Sequence, residues 1–384
     1  MCPEPFDKVR TAPVEGHTDG LRQAQPAYLC PELVEGLRTV PVEGPQLLAD
    51  HTTLRVGGPA RRMITVETEA ALAEAIADLD GSGEPLLVLG GGSNVLVGDA
   101  GFDGTVVKIA TQGIAEDTAA CSGAVITVAA GEPWDPLVSY AIDRGWSGIE
   151  AMSGIPGLVG ATPIQNVGAY GAEVSELISV VRTLERSTGQ RKTFFPIECG
   201  FGYRTSRFKS DPGRFVILSV TFQLRLGSMS QPIRYPELAR VLGVEVGQRA
   251  PAAEVRQAVL ALRSAKGMVL VEDDHDTWSA GSFFTNPILS QAKAHALPTD
   301  APRFSQPDGT VKTSAAWLIE KAGFGKGYGR GAARLSAKHT LALTNRGAAS
   351  AAELLSLARE IRAGVQAKFG IELVPEPVLV GCEL

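Results

Sequence analysis

Two glycine-rich segments constrain this chain more than anything else in it, because neither can continue as an ordinary helix or strand. The first is Leu89-Gly90-Gly91-Gly92-Ser93-Asn94-Val95-Leu96-Val97. The second runs from Gly154 to Gly171 and also holds Gly157, Gly160, Gly168, Pro156 and Pro163. Backbone of this kind makes few local hydrogen bonds, so its N–H and C=O groups must find partners elsewhere. The first segment is a poor dinucleotide fingerprint: Val95 stands where a sixth-position Gly is needed, and a strand-like Val-Leu-Val follows in place of a helix. A strand–glycine–strand turn can still hold a pyrophosphate in a nest of N–H groups, with Ser93 and Asn94 as added donors. A glycine hairpin without a ligand fits those nine residues equally well. In the second segment, Thr162, Gln165 and Asn166 are of the right type to meet the edge of a flat polar heterocycle such as isoalloxazine.

Around these segments the periodicity predicts helices at 69–80, 134–144, 251–264 and 351–369. It predicts strands at 85–89, 94–97, 105–109, 125–130, 180–185 and 215–226. They mix without regular β-α-β alternation, which indicates the α+β class. Residues 1–46 read as a loosely attached extension. The string Arg-Thr-x-Pro-Val-Glu-Gly at Arg10–Gly16 returns at Arg38–Gly44, and Pro and Gly interrupt every period. Its first residues lack the apolar stretch of a secretory signal.

A net charge of −6 gives no reason to expect nucleic acid or an anionic membrane as partner, so an anionic ligand would need a local basic cluster. No apolar run is long enough to span a bilayer. Five scattered Cys and five scattered His show neither C-x-x-C nor ligand spacing. They read as reduced thiols of a cytoplasmic protein without a metal site.

Four other strings carry candidate chemistry. Phe201-Gly202-Tyr203-Arg204-Thr205-Ser206-Arg207-Phe208-Lys209 offers guanidinium forks for a carboxylate, although a solvated basic turn reads the same way. Ala280-Gly281-Ser282-Phe283-Phe284-Thr285-Asn286-Pro287 holds a serine with no G-x-S-x-G around it, which alone reads as a turn hydroxyl. Pro375-Glu376-Pro377 sets an acid on stiff, extended backbone near the end of the sequence. Gln231-Pro232-Ile233-Arg234-Tyr235-Pro236-Glu237-Leu238 presents an aromatic in a proline-bounded loop.

The two glycine segments, with Arg55-Val56-Gly57-Gly58-Pro59-Ala60 ahead of them, closely resemble the UDP-N-acetylenolpyruvoylglucosamine reductases from about Leu47 to Gly381. The resemblance implies a two-subdomain FAD-binding fold of the vanillyl-alcohol-oxidase type over 47–226, divided at 112/113. A C-terminal α+β substrate-binding domain would follow over 227–384, its tail returning to the FAD domain. It implies FAD held without a covalent bond, since Ser93 stands near the place where oxidases of that wider group attach flavin through His. NADPH would be the hydride donor and UDP-N-acetylglucosamine enolpyruvate the substrate, in bacterial peptidoglycan precursor synthesis, with no obligate protein partner.

By the same resemblance Arg204 and Glu376 act on the substrate carboxylate, and Ser282 is the proton donor. Arg55, Gly57, Gly90, Gly91, Gly92, Ser93, Asn94, Gly154, Thr162, Gln165, Asn166 and Gly168 would bind the cofactor. Tyr203, Tyr235, Lys266 and Asn286 would bind substrate, Tyr235 as the closing tyrosine of one branch of the family and Lys266 through phosphate. Lys312 and Lys321 are further candidates for phosphates. Val378 stands where many relatives carry Arg.

Overall fold

Each glycine segment lies between short regular elements in the computed structural model, which describes residues 39–42, 45–119 and 123–384. The strand Leu86–Leu89 enters the first segment and Val95–Val97 leaves it. Leu86–Leu89 is the edge of a five-stranded sheet in the order Thr39–Val42, Pro59–Val66, Phe102–Ile109, Leu86–Leu89, with Gln46–Leu47 also paired to Pro59–Val66. Pro59–Val66 and Leu86–Leu89 both run parallel to Phe102–Ile109. Parallel strands need a crossover, and the helix Glu69–Ser82 supplies it. Thr68 caps that helix by accepting from the Ala71 N–H at 3.1 Å, and Gly83 ends it in the left-handed conformation.

Two features of this sheet differ from expectation. Pro59–Val66 was not predicted, because the exposed pair Arg61-Arg62 breaks the apolar alternation that marks a half-buried strand. The expected extension also runs too far. Thr39–Val42 pairs antiparallel with Pro59–Val66, Thr39 opposite Val66 and Val42 opposite Met63. Pro41 lacks an N–H and is tolerated because this strand is an edge. The remainder of the extension, residues 1–38 and 43–44, lies outside the described residues.

The second sheet is antiparallel throughout, ordered Gln190–Phe194, Ile178–Glu185, Phe215–Leu226, Gly123–Ala129, Ile114–Ala119. Gly123–Ala129 alternates buried and half-buried residues as a strand over a core must. One apolar cluster joins Ile64, Val66, Leu72 and Ile76 of the first sheet and its helix to Ile126, Val128, Trp134 and Phe222 of the second. The division expected at 112/113 is therefore not a break in the core.

The C-terminal part is built on the helix Ala351–Phe369, which the sequence located residue for residue. Ser350 and Glu353 form its capping box, and Gly370 ends it at φ 65°. Asp99, just beyond the first glycine segment, accepts from the Ala351 and Ala352 N–H groups at 2.8 and 2.9 Å. Leu54, Val56 and Leu96 are buried in the same cluster as Leu354, Leu357 and Ile361. The tail then returns: Val378–Val380 pairs in parallel with Val95–Val97. Arg38–Leu384 is one compact unit. Among the described residues no helix is long and apolar enough to cross a membrane.

Candidate active site

The glycine segments meet backbone to backbone. A Cβ on Gly91 would lie 2.9 Å from the Gly157 Cα, and one on Gly157 would lie 2.6 Å from the Ser93 hydroxyl oxygen. Such contact is open only to glycine. Between the two segments opens a cavity of about 540 Å³. Gly90, Gly91, Gly92, Ser93, Asn94, Thr162, Gln165 and Gly168, all among the residues that the resemblance assigns to the cofactor, line it. A cavity walled by bare, non-helical backbone from two directions suits a large flat polar group with an anionic tail, and FAD is such a group. Asn94 ties three segments together, donating to the Gln165 side-chain oxygen at 2.7 Å and to the Glu376 carbonyl at 3.3 Å.

Arg204, Ser282 and Glu376 line the same cavity, although Ser282 and Glu376 come from separate strings far along the chain. Arg204 sits at φ 53°, a left-handed conformation costly for a side chain of this size. Its Nη1 and Nη2 donate to the Asn166 and Gly168 carbonyls at 3.2 and 2.8 Å. The second glycine segment thus holds the guanidinium and is itself held by it. Nε lies 2.9 Å from Oε1 of Glu376, an ion pair in which the N–H is not aligned as a hydrogen bond. One N–H on each of Nη1 and Nη2 makes no bond to the protein among the described residues and remains for a ligand.

Glu376 is fixed through its N–H, which donates to the Phe283 carbonyl at 2.9 Å. Its carboxyl is held above the ordinary carboxylate range by burial, which outweighs the opposing pull of Arg204 and Lys209. Ser282 is placed by its neighbours: Phe283 and Phe284 are buried at 1% exposure, and the Phe283 N–H donates to the Leu341 carbonyl at 2.8 Å. The Ser282 hydroxyl has no protein partner among the described residues, so it is free to serve a ligand.

At another part of the wall stand Tyr235 and Lys266. Lys266 caps the C-terminus of the helix Ala252–Ala265 and donates to Glu237 at 2.5 Å. Tyr235 meets Tyr170 edge to face, ring centres 5.4 Å apart. Asn286 also lines the cavity, but its side-chain oxygen is engaged by the Ala315 N–H at 2.9 Å.

Other expected residues lie behind the wall or away from it. Asn166 is turned inward at φ 47° and binds the Glu173 carboxylate at 2.7 Å and the Gly202 carbonyl at 3.1 Å. Gly154 supports its loop by donating to Asp135 at 2.6 Å. Gly57 packs on Val97, and Tyr203 accepts from the Asn286 N–H at 3.3 Å. Arg55 faces Trp278 and Glu272, a half-exposed pair at 3.8 Å. Lys312 rests on the Tyr203 ring, and Lys321 pairs with Asp300.

Four titratable wall residues were not assigned a role from the sequence: Tyr170, Lys209, Arg263 and His339. Tyr170 and Lys209 lay inside strings already quoted. Arg263 stands one turn before Lys266 on the same helix, a spacing that places both on one face. Its Nη2 donates to the Met268 carbonyl at 2.8 Å while Nε has no partner. Burial, with help from Lys266 and Lys326, pushes His339 down to about 4. No local pattern marks it. No group of three or more His, Cys, Asp or Glu able to hold a metal occurs among the described residues.

Comparison with known proteins first places the class. A family model described as an FAD binding domain matches residues 60–191, the span that contains both glycine segments. A second, described as the UDP-N-acetylenolpyruvoylglucosamine reductase C-terminal domain, matches residues 273–380, the span that contains Ser282 and Glu376. The chain belongs to the UDP-N-acetylenolpyruvoylglucosamine reductase family. It is 57% identical to the protein of that name from Cutibacterium acnes over 88% of this chain and 90% of that one. It is 54% identical to the one from Streptomyces avermitilis over 88% of this chain and 94% of that one. The crystal structure of the Thermus caldophilus reductase is 28% identical and superposes with a TM-score of 0.61, covering 89% of this chain and 99% of that one.

Proposed function

We propose that the protein reduces UDP-N-acetylglucosamine enolpyruvate to UDP-N-acetylmuramate, a soluble step of peptidoglycan precursor synthesis in the bacterial cytoplasm. The observation that carries this reading is one cavity holding two facing glycine segments, the Arg204–Glu376 pair at 2.9 Å and an unpartnered Ser282 hydroxyl. Relatives more than half identical over nearly the whole chain bear the name of this activity.

The two glycine segments would hold FAD without a covalent link, and the bound flavin would supply the hydride, drawn from NADPH, that adds to the terminal alkene carbon of the substrate. The residues of the chain manage the charge that this leaves. Electron density develops on the carbon beside the carboxylate and spreads into that carboxylate as an enolate. The spare N–H groups of Arg204 meet the growing charge, and Glu376, whose carboxyl burial shifts toward the protonated form, donates a hydrogen bond to it when protonated. Ser282 delivers the proton to the carbon itself. A hydroxyl is a weak acid, but an enolate is strongly basic and can take its proton. The carbon–carbon double bond becomes single, with one hydrogen from hydride and one from Ser282. Tyr235 and Lys266 are assigned to the UDP portion, Tyr235 as the closing tyrosine and Lys266 through phosphate. The aliphatic Val378 leaves that part of the wall without the guanidinium many relatives have there.

The visible spectrum of the purified protein tests the assignment. A flavin spectrum should bleach with NADPH under nitrogen and return on adding the enolpyruvyl sugar nucleotide. Return only with oxygen would point to an oxidase, and no flavin spectrum at all would remove the cofactor assignment.

A further inference from the structure

Lys266 has a partner before any ligand arrives. Its ammonium lies 2.5 Å from a carboxylate oxygen of Glu237, and both side chains are about one-third exposed. The two charges reach this contact from opposite helix ends: Lys266 ends Ala252–Ala265, and Glu237 is in the first turn of Pro236–Leu242. Each end favours the charge it bears, so neither side chain needs the pair in order to be tolerated.

Glu237 belongs to a segment with its own closure. The Ser230 N–H donates to the Ala250 carbonyl at 2.8 Å, that of Ile233 to Gln248 at 2.8 Å, and that of Gly247 to Ile233 at 2.7 Å. Its apolar footing of Ile233, Leu238 and Ala239 on Val255 and Val259 is separate from the main cores. Beyond that footing, the ion pairs Glu237–Lys266 and Arg234–Glu176 fasten it, together with the Gln231 N–H donating to Glu150 at 2.9 Å, Arg234 donating to the Gly171 carbonyl at 3.3 Å and Tyr235 against Tyr170. Tyr235 stands two residues before Glu237 and is 40% exposed at the cavity.

We propose that Glu237 is an internal stand-in for a ligand phosphate, occupying Lys266 until a diphosphate displaces it. This rests on the assignment of Lys266 to phosphate made above. A phosphate group that reaches Lys266 competes with Glu237 for the same donors and repels its carboxylate. The freed segment then carries Tyr235 to the ligand, so that closure is coupled to the arrival of the anion. When a spent ligand leaves, Glu237 returns to Lys266 and assists its release. Both ligands of the proposed reaction carry a diphosphate, so the latch opens and closes in each half of the cycle. His339 also feels the charges of Lys266 and Glu237, and burial holds its pKa down to about 4.

Calorimetric titration of the FAD-loaded enzyme with inorganic pyrophosphate and, separately, with UDP tests this. Glu237→Gln should tighten both probes by about two- to fivefold, the effect of removing a half-exposed competing pair. In the double variant Glu237→Gln/Lys266→Gln the gain should vanish, because the competitor then has nothing to compete for. Equal or weaker pyrophosphate binding by Glu237→Gln, or a gain that persists without Lys266, overturns the latch. The nucleotide assignment fails by a different sign: UDP binding no tighter than pyrophosphate in the unmodified enzyme. A changed melting temperature in Glu237→Gln would be read against Glu237→Asp, which keeps the charge and should keep weak binding.

Discussion

At the scale of single residues, the assignments separate the two halves of the proposed cycle. In the proposed role Ser282 acts only after hydride has reached the substrate, and its hydroxyl has no protein partner among the described residues. Ser282→Ala should therefore bleach with NADPH at nearly the normal rate in stopped flow. Its reoxidation by the enolpyruvyl substrate should slow at least ~100-fold, the usual loss of a general acid. Equal slowing of both halves would make Ser282 a structural residue. Glu376 makes a different prediction through pH. Its carboxyl titrates above the ordinary value of 4.5 because it is buried. If the protonated form is the donor, substrate reduction falls as pH rises through that elevated value, while flavin bleaching by NADPH does not. Glu376→Gln, a neutral donor at every pH, should lower the rate and flatten that fall. The same raised pKa favours the folded state below 4.5 and costs stability as pH climbs through the folded value. Arg204, Ser282 and Glu376 could be named only through the family resemblance, since their own strings read equally as a basic turn, a turn hydroxyl and a surface acid. Thr162 and Gln165 line the cavity, yet the adjacent Asn166 turns away, because its left-handed backbone at φ 47° sends neighbouring side chains apart. His339 was illegible because its importance comes from what faces it, Lys266 and Lys326, and not from its neighbours in sequence.

At the scale of elements, the glycine contact is the most exposed to test. Gly91→Val would push its side chain into the backbone of Gly157, 2.9 Å from where its Cβ must lie. The two segments would part, and the protein should be soluble but nearly colourless after purification. Full flavin occupancy in this variant, read from the ratio of visible to ultraviolet absorbance, would take the contact out of the site. The edge strand Thr39–Val42 supplies a second test. Removing residues 1–44 exposes the edge of Pro59–Val66, whereas removing residues 1–38 leaves that pairing in place. The longer deletion should melt lower than the shorter by a few degrees, as the loss of about 1 kcal/mol would dictate. Helices were easy to read wherever an amphipathic face ran for several turns, as in Ala351–Phe369. Pro59–Val66 was missed because two arginines stand on its exposed face, and Pro236–Leu242 because two turns are too few to establish a period.

At the scale of the whole molecule, the resemblance suggested successive domains with a tail returning to the first, and the structure ties them together through more than the tail. Leu54, Val56 and Leu96 pack with the C-terminal helix, and the strand Val378–Val380 completes its pairing beside the first glycine segment. Calorimetry should accordingly give one unfolding transition, and two separable ones would restore the division at 226/227. Long-range closure of this sort cannot be read from local pattern, since it depends on which distant strand accepts an unpaired edge. It also bears on how the molecule comes into being. Asn94 reaches the Glu376 carbonyl across 282 positions, and Thr53 reaches the Ser279 carbonyl across 226. Contacts so distant along the chain form late, after nearer ones have reduced the entropy of closing such long loops. A partly folded chain holds the glycine segments without the acid that belongs beside them. Catalytic competence is thus the last thing to appear during folding and the first to vanish during unfolding, so activity should decay ahead of helix content as the protein is warmed.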